Sequence, residues 1–169
     1  MIVLETERLV LRHLTLNDAP FILELLNEPS FLRFIGDRKV RNLQDARLYI
    51  LHGPIASYEK NGFGLFLAFL KESGDPIGMC GLLKRETLPE VDIGFALMPA
   101  YWRQGYISEA ATAILVYGRD HLALKRILAI TSSDNVASIR VLEKSGLKFE
   151  GMIKMPDDAR DVKLFAIAL

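Results

Sequence analysis

The chain has 169 residues, of which 50% are apolar and 25% are charged. This length is enough for one well-filled hydrophobic core and too short for two ordinary domains, so we expect a single domain over residues 1–169. The 21 basic residues equal the 21 acidic ones in number. A protein whose main partner is a nucleic acid needs a basic surface, and the composition gives no support to that class.

The cysteine, histidine and apolar residues indicate where the protein is found and whether it has a disulfide or a metal site. The single Cys80 excludes an internal disulfide, and its apolar surroundings are more typical of a core residue than of a nucleophile. Residues 1–5 are too short and too acidic for a secretory signal, and no apolar run approaches about 20 residues, so we expect a cytoplasmic protein outside the membrane. His13, His52 and His121 lack metal-ligand spacing, so no metal is expected.

The first third of the chain predicts one strand and two helices. Residues 8–13 are rich in Leu and Val and predict the strand. A helix follows from a cap at Asp18, and we expect it to end at Pro29. Asn42 is typical of the cap of a second helix, in which Pro54 predicts a kink or a break.

The middle third predicts three strands and a helix. Residues 65–70 and 77–83 are apolar runs separated by turn residues, which is the pattern of a hairpin of two buried strands. Residues 91–97 form a third strand that Pro99 ends. Apolar side chains at helical spacing then begin at Ile107.

The last third predicts a strand, a helix and two further strands. Residues 127–131 are an apolar strand, and Asn135 begins a helix that Gly146 closes just beyond its end. The last two strands are expected near residues 147–152 and 162–169. The complete order is strand, two helices, three strands, helix, strand, helix and two strands, which predicts a mostly antiparallel sheet with helices packed on it.

The segment after residue 91 has the pattern of an anion site. A strand leads through a short turn containing Gly105 into the start of a helix, where unpaired backbone N–H groups and the helix dipole attract phosphate. Gly105 allows close approach of the backbone, and Arg103 adds positive charge. A loop that only turns the chain accounts for these residues equally well. The G-x-x-x-x-G-K-[ST] motif is absent from the sequence, and the Gly62-Phe63-Gly64 segment precedes a strand instead of following one.

The turn, which reads Tyr101-Trp102-Arg103-Gln104-Gly105-Tyr106 and continues to Glu109-Ala110, resembles the acetyl-CoA pyrophosphate loop of the GNAT acetyltransferase superfamily. It is more closely similar to the branch that contains the ribosomal-protein alanine and serine N-acetyltransferases, which commonly has a Trp at the first position of the loop. Residues 6–12 resemble the opening strand of that branch, and residues 135–149 resemble its second cofactor motif. Ile107 departs from the pattern, since a small Gly or Ala is usual there, and we expect its side chain to point into the core.

The resemblance implies an α+β fold of three layers, with a mixed, mostly antiparallel sheet of about seven strands and helices on both faces. It also implies that the strand at residues 91–97 splays from its neighbour at 127–131, with the pantetheine of acetyl-CoA in the gap. Gly94 then fits a bulge, a close ligand approach or a tolerated weak strand position. The residues that the resemblance assigns to the cofactor are Phe95, Ala96, Leu97, Arg103, Gln104, Gly105, Tyr106, Ile107, Ser108, Asn135 and Ser138.

The implied reaction is direct attack of a neutral amine on the thioester carbonyl, and it needs a base and an acid. Glu90 and Asp92 are the base candidates, since a spacing of two places both on one face of a strand. Asp92 stands where the family usually has Glu, so it would act through a water. A solvated carboxylate at the start of a strand explains either residue equally well. Many relatives use a Tyr as the acid, but this chain has none beyond Tyr117, and Ser138 is the candidate replacement or else an ordinary helix residue.

Three functions remain open, of which two differ in the acceptor. An α-amine of pKa about 7.7–8.0 is roughly a tenth neutral near pH 7, and a lysine of pKa about 10.4 only about 0.04%, which favours a protein or peptide N-terminus. A polyamine, amino acid or aminoglycoside predicts an acidic acceptor pocket, for which Glu86 is a further candidate. A CoA-binding module with little catalysis fits Ile107 and the missing Tyr. We expect residues 18–58 and the loop at 155–161 to shape the acceptor site, and the resemblance implies a monomer or homodimer.

Overall fold

An eight-stranded sheet forms the centre of the structure, a computed structural model that describes residues 1–156 and 160–169. The strands are β1 (Ile2–Glu5), β2 (Leu9–Arg12), β3 (Leu65–Leu70), β4 (Pro76–Leu83), β5 (Asp92–Leu97), β6 (Arg126–Ser132), β7 (Lys148–Lys154) and β8 (Asp161–Ala168). Their order across the sheet is β1-β2-β3-β4-β5-β6-β8-β7. Only the β5–β6 pair is parallel, so the predicted mixed, mostly antiparallel sheet is confirmed.

The count of about seven strands was one too low, because the edge strand β1 was not predicted. It has four residues, of which only the middle two are half-buried. So short and exposed a segment carries almost no period-two pattern. Its strand character comes from pairing with β2, in which Ile2 lies opposite Arg12 and Glu5 opposite Val10. The strand predicted at residues 8–13 is β2.

Six α-helices cover the sheet. They are α1 (Ala19–Leu26), α2 (Pro29–Phe34), α3 (Leu43–Ile50), α4 (Ala56–Asn61), α5 (Tyr106–Asp120) and α6 (Val136–Lys144). Because alternate strand residues point to opposite faces, Phe66 and Ala68 enter the hydrophobic cluster under α5 and α6, which we call the front face. Leu67 and Met79 enter a second cluster with α1, α2 and α3, the back face. Helices therefore lie on both faces, as predicted.

Two prolines mark places where a helix begins or is interrupted. Pro29 does not end the first helix, which stops at Leu26, but begins α2, because a residue in the first helical turn needs no N–H partner. Pro54 falls where the regular α-helix is interrupted, as expected, but the chain stays helical there. It lies in a π-helical segment, Leu51–Ile55, through which the chain continues into α4, and this wider turn accommodates the missing donor.

The caps at Asn42 and Gly146 agree with the sequence, whereas the Asp18 side chain makes no capping hydrogen bond at the start of α1 and accepts from Arg12 and the Thr15 N–H instead. The Asn42 side chain accepts a hydrogen bond of 2.8 Å from the Asp45 N–H at the start of α3. Gly146 follows α6 with a φ of +97°, the left-handed conformation expected just beyond a helix end. Within the described ranges, 1–156 and 160–169, no helix is both long enough and apolar enough to cross a membrane.

Candidate active site

A gap opens between β5 and β6, at the one place where parallel strands adjoin. The two strands are joined by a single register pair, Asp92 opposite Leu128, where the Leu128 N–H donates to the Val91 carbonyl at 2.9 Å. β4 pairs with all of β5, and β8 pairs with all of β6. Each strand is thus held on its outer side while the inner edges diverge, which leaves a row of main-chain groups facing the gap.

Strand alternation decides which residues of β5 offer those groups. The Met98 N–H donates to the Ile77 carbonyl of β4 at 2.8 Å, so the main-chain groups of Ala96 also point to β4 and those of Phe95 and Leu97 point into the gap. The Leu97 carbonyl already accepts from the Trp102 indole N–H at 3.0 Å. Of the three residues that the sequence assigned here, Phe95 therefore offers both groups, Leu97 only its N–H, and Ala96 neither.

The turn before α5 presents a continuous run of free donors. From Arg103 to Ser108, six consecutive backbone N–H groups have no acceptor in the described part of the chain, and the first helical bond runs from the Glu109 N–H to the Gly105 carbonyl. Arg103 and Gly105 both have positive φ, +63° and +81°, which turns successive amides towards one side. Such a concave row of N–H groups at a helix N-terminus is suited to an anion.

Arg8 fixes this turn from the start of β2, and sequence reasoning gave it no role. Its Nε donates to Glu109 Oε1 at 2.8 Å, its backbone N–H donates to Oε2 at 2.9 Å, and its Nη1 donates to the Gln104 carbonyl at 2.9 Å. The guanidinium also lies 4.2 Å from the centre of the Tyr106 ring. Residues 6–12 and Glu109 were both part of the resemblance, but their contact spans about a hundred residues and is invisible in sequence.

The other residues assigned to the turn are placed as follows. The Gln104 side-chain amide donates to the Ala100 carbonyl at 3.1 Å. Gln104 therefore contributes its main-chain N–H, and not its side chain, to the row of free N–H groups. Ser108 and Ile107 are half-buried in the first turn of α5. Ile107 was expected to point into the core, but it belongs to neither hydrophobic cluster and stays beside the row of free N–H groups. That expectation was wrong, although Tyr106 of the same helical turn does pack against the front-face cluster.

Asp92 is a buried carboxylate at the closed end of the gap. Its side chain is 1% exposed, and alternation along β5 puts it on the back face together with Ala96. Arg85 Nε donates to both carboxylate oxygens, at 3.1 and 3.3 Å. Burial raises the pKa of Asp92 to about 6, although the ion pair with Arg85 opposes the rise. A carboxylate with that pKa can exchange a proton near neutral pH.

Glu90 is placed differently from the expectation. It precedes β5, which begins at Asp92, so the period of two that was expected to put both carboxylates on one face does not apply. Its carboxylate pairs with Arg126 Nε at 3.0 Å, and Arg126 also pairs with Glu150. Glu90 therefore forms an ion pair with Arg126 of β6, on the side of the sheet that ends in β7, whereas Asp92 faces the helices of the back face.

Asn135 and Ser138 lie together at the open end of the gap. The Asn135 side chain caps α6 by accepting a hydrogen bond of 3.2 Å from the Ser138 N–H. Ser138 is half-buried, and its hydroxyl has no hydrogen-bond partner among the described residues. Because α6 covers the front face, Ser138 and Asp92 are brought to opposite faces of the sheet and not to one cluster.

A comparison with known proteins identifies the family of the chain. Residues 8–148 match the family model described as the acetyltransferase (GNAT) domain. The chain belongs to the GNAT acetyltransferase family. An uncharacterised N-acetyltransferase of Bacillus subtilis, YoaA, is 32% identical over 154 residues, which cover 90% of this chain and 86% of YoaA. The chain is accordingly an N-acetyltransferase of the GNAT family.

Solved GNAT structures share the fold over the whole chain. An acetyltransferase from Bacillus anthracis is 28% identical, with a TM-score of 0.82 over 99% of this chain and 98% of its own. The ribosomal L7/L12 α-N-protein acetyltransferase RimL, solved with coenzyme A, has a TM-score of 0.87 over 100% of this chain and 98% of its own. Since RimL is only 19% identical, this likeness concerns the fold.

The GNAT family uses acetyl-CoA, and the geometry of this chain fits that molecule. The six free N–H groups suit its pyrophosphate, and the main-chain groups of Phe95 and Leu97 suit the amides of its pantetheine arm. In residues 1–156 and 160–169 there is no group of three His, Cys, Asp or Glu side chains placed to hold a metal ion.

Proposed function

We propose that this enzyme transfers the acetyl group of acetyl-CoA to the α-amine of a protein or peptide N-terminus. The observation that carries the proposal is the buried Asp92 at the closed end of the β5–β6 gap, behind the row of free N–H groups. The pyrophosphate would lie on the N–H groups of residues 103–108, and the pantetheine would follow the edge of β5 towards Asp92.

The pKa of Asp92 supports an α-amine as the acceptor. Taking a proton from an α-ammonium of pKa about 7.7–8.0 with a carboxylate of pKa about 6 is uphill by about 2.5 kcal/mol. The same transfer from a lysine of pKa about 10.4 is uphill by about 6 kcal/mol. The difference of about 3.5 kcal/mol corresponds to several hundredfold in rate if it is fully expressed in the transition state.

The base and the hydrogen-bond donor of the reaction lie on opposite faces of the sheet. Asp92 lies on the back face of the sheet, so the amine would approach on that side, between the sheet and helices α1–α3, where Asp92 accepts its proton directly or through a water. The new C–N bond forms as the C–S bond of the thioester breaks. Ser138, on the opposite side, donates a hydrogen bond from its hydroxyl to the departing thiolate. Base and acid thus act on opposite sides of the reacting carbon.

Turnover can be measured as release of free CoA thiol with a panel of acceptors. We expect a higher kcat/KM for peptides with a free N-terminus than for the same peptides with a blocked N-terminus and an internal lysine. Asp92→Asn should lower kcat strongly, whereas Glu90→Gln, which removes a carboxylate paired with Arg126, is the matched control. Acetyl-CoA binding without turnover on any amine would contradict catalysis and leave a CoA-binding module. Equal loss in the two variants would contradict the role of Asp92.

A further inference from the structure

One arginine, Arg85, lies beside Asp92 on the back face of the gap, where the acceptor would enter. Arg85 is held by Asp92 through its Nε alone, and its two terminal nitrogens have no partner among the described residues. Its side chain is 33% exposed. A guanidinium offers five N–H donors in a fixed fork, so most of the fork of Arg85 is free to bind a second anion beside Asp92.

A second arginine, Arg38, and the phenol of Tyr49 lie in the same neighbourhood as Arg85. Arg38 lies in the segment between α2 and α3, is exposed, and forms no ion pair with any described residue. Both Arg38 and Arg85 lie within electrostatic range of the hydroxyl of Tyr49 on α3. Burial raises the pKa of Tyr49, although the two arginines oppose the rise, so that its hydroxyl stays a neutral donor.

Most of the nearby carboxylates already have an arginine partner. Asp92 is paired with Arg85, Asp37 is paired with Arg41 at 2.5 Å, and Asp134 is paired with Arg33 at 3.5 Å. Glu86 is exposed in the turn after Arg85 and makes no ion pair with a described residue. A polyamine would meet Arg38 and Arg85 here, and of the carboxylates named above only Glu86 has no ion-pair partner, which favours an acidic acceptor over a polyamine.

We propose that the acceptor carries a carboxylate a few bonds from its reacting amine, held by Arg85, Arg38 and the Tyr49 hydroxyl. This inference rests on the proposed function, because the amine must lie at Asp92. The Nε of Arg85 contacts Asp92, and the two terminal nitrogens of the same guanidinium lie beside it. An acceptor whose amine lies at Asp92 would therefore bring a neighbouring carboxylate to those terminal nitrogens. Two sources have this chemistry: an acidic side chain at the second position of a peptide, and the α-carboxylate of a free amino acid.

The test uses acceptors that differ only in the carboxylate. Peptides beginning Ser-Glu and Ser-Gln, and the pair serine and serinamide, are compared by release of CoA thiol. We expect kcat/KM to be about tenfold or more higher for the member of a pair that carries the carboxylate, expressed mainly in KM. Preference in the peptide pair assigns the carboxylate to a side chain and agrees with a peptide acceptor. Preference in the serine pair assigns it to a free amino acid, which keeps the carboxylate site but overturns the peptide as the acceptor.

Three variants locate the preference. Arg38→Gln and Tyr49→Phe should each reduce the ratio of kcat/KM between paired acceptors several-fold, chiefly by raising KM for the acidic member. Arg41→Gln removes the same charge three residues from Arg38, but from an arginine already paired with Asp37, and should leave the ratio as it is. An equal fall in Arg41→Gln would show a general field effect and overturn the assigned site.

The outcomes separate the two proposals. Absence of turnover on every amine would refute the acetyl transfer itself. Good turnover with equal kcat/KM for both members of each pair would refute only the carboxylate site, and so would a preference for a polyamine over all acidic acceptors.

Discussion

Replacing Asp92 by Asn should make the protein more stable and less active at the same time. Burial raises the pKa of Asp92 from its ordinary value of 3.8 to about 6, despite the opposing ion pair with Arg85. The stability that this carboxyl contributes is fully present below pH 3.8, where both states are protonated, and is lost as the pH rises through about 6. At pH 7.5 the loss amounts to about 3 kcal/mol, because one pKa unit corresponds to about 1.36 kcal/mol.

Asparagine keeps the size and a hydrogen bond to Arg85 but cannot ionise, so the variant avoids this loss. At about 2–4 °C per kcal/mol, we expect its Tm at pH 7.5 to rise by about 6–12 °C. The gain should shrink towards zero near pH 4, where the wild-type carboxyl is itself protonated. Urea unfolding between pH 4 and pH 8 measures the difference directly, with Glu90→Gln as the control.

Activity provides the second half of this prediction. If Asp92 is the base, wild-type kcat/KM falls as the pH drops below about 6, and the Asn variant loses that limb along with most of its rate. A variant that is no more stable than wild type at pH 7.5 would refute the energetic reasoning. A stabilised variant with undiminished kcat would refute the catalytic role while leaving the energetics intact.

Three further predictions concern the cofactor half of the site. Arg8→Ala removes the hydrogen bonds to Glu109 and the Gln104 carbonyl and should weaken CoA binding by about 5- to 30-fold in calorimetry. Arg119→Ala, at the far end of α5, is the control. An unchanged Kd in Arg8→Ala would contradict the role of Arg8 in holding the turn. Gly105→Ala puts a side chain on a residue with φ +81°, and its Cβ would lie 3.3 Å from Arg8 Nη2. Gly74, with a φ of +77° and no neighbour near its Cβ, is the control. Both Ala variants should lose about 1–2 kcal/mol of stability, but only Gly105→Ala should also lose CoA affinity. Asn135→Ala should cost about 1 kcal/mol of stability through the lost cap, and Asn135→Asp should keep that stability; if Asp also restores full use of acetyl-CoA, then the Asn135 side chain acts only as a cap.

The sequence alone determined the order of the elements from β3 onwards and the position of the cofactor turn. Hydrophobic periodicity and caps are local, which is why β3, β4, α5 and α6 lie close to where the pattern put them. The turn at residues 101–106 was recognisable because an anion site at a helix start is built from consecutive residues. The edge strand β1 was missed for the opposite reason, since its strand character depends on its partner.

Only the tertiary structure decided how the site is divided. Alternation along β5 fixes Phe95 and Leu97 towards the gap only once β4 is known to hold the other edge. Arg8 reaches Glu109 across about a hundred residues, and Arg85 reaches Asp92 across a turn that carries no pattern. The acceptor loop expected at residues 155–161 lies partly outside the described residues. Hydrogen bonds and ion pairs form between groups that folding brings together, so the partners of Asp92, and with them its pKa, appear only in three dimensions.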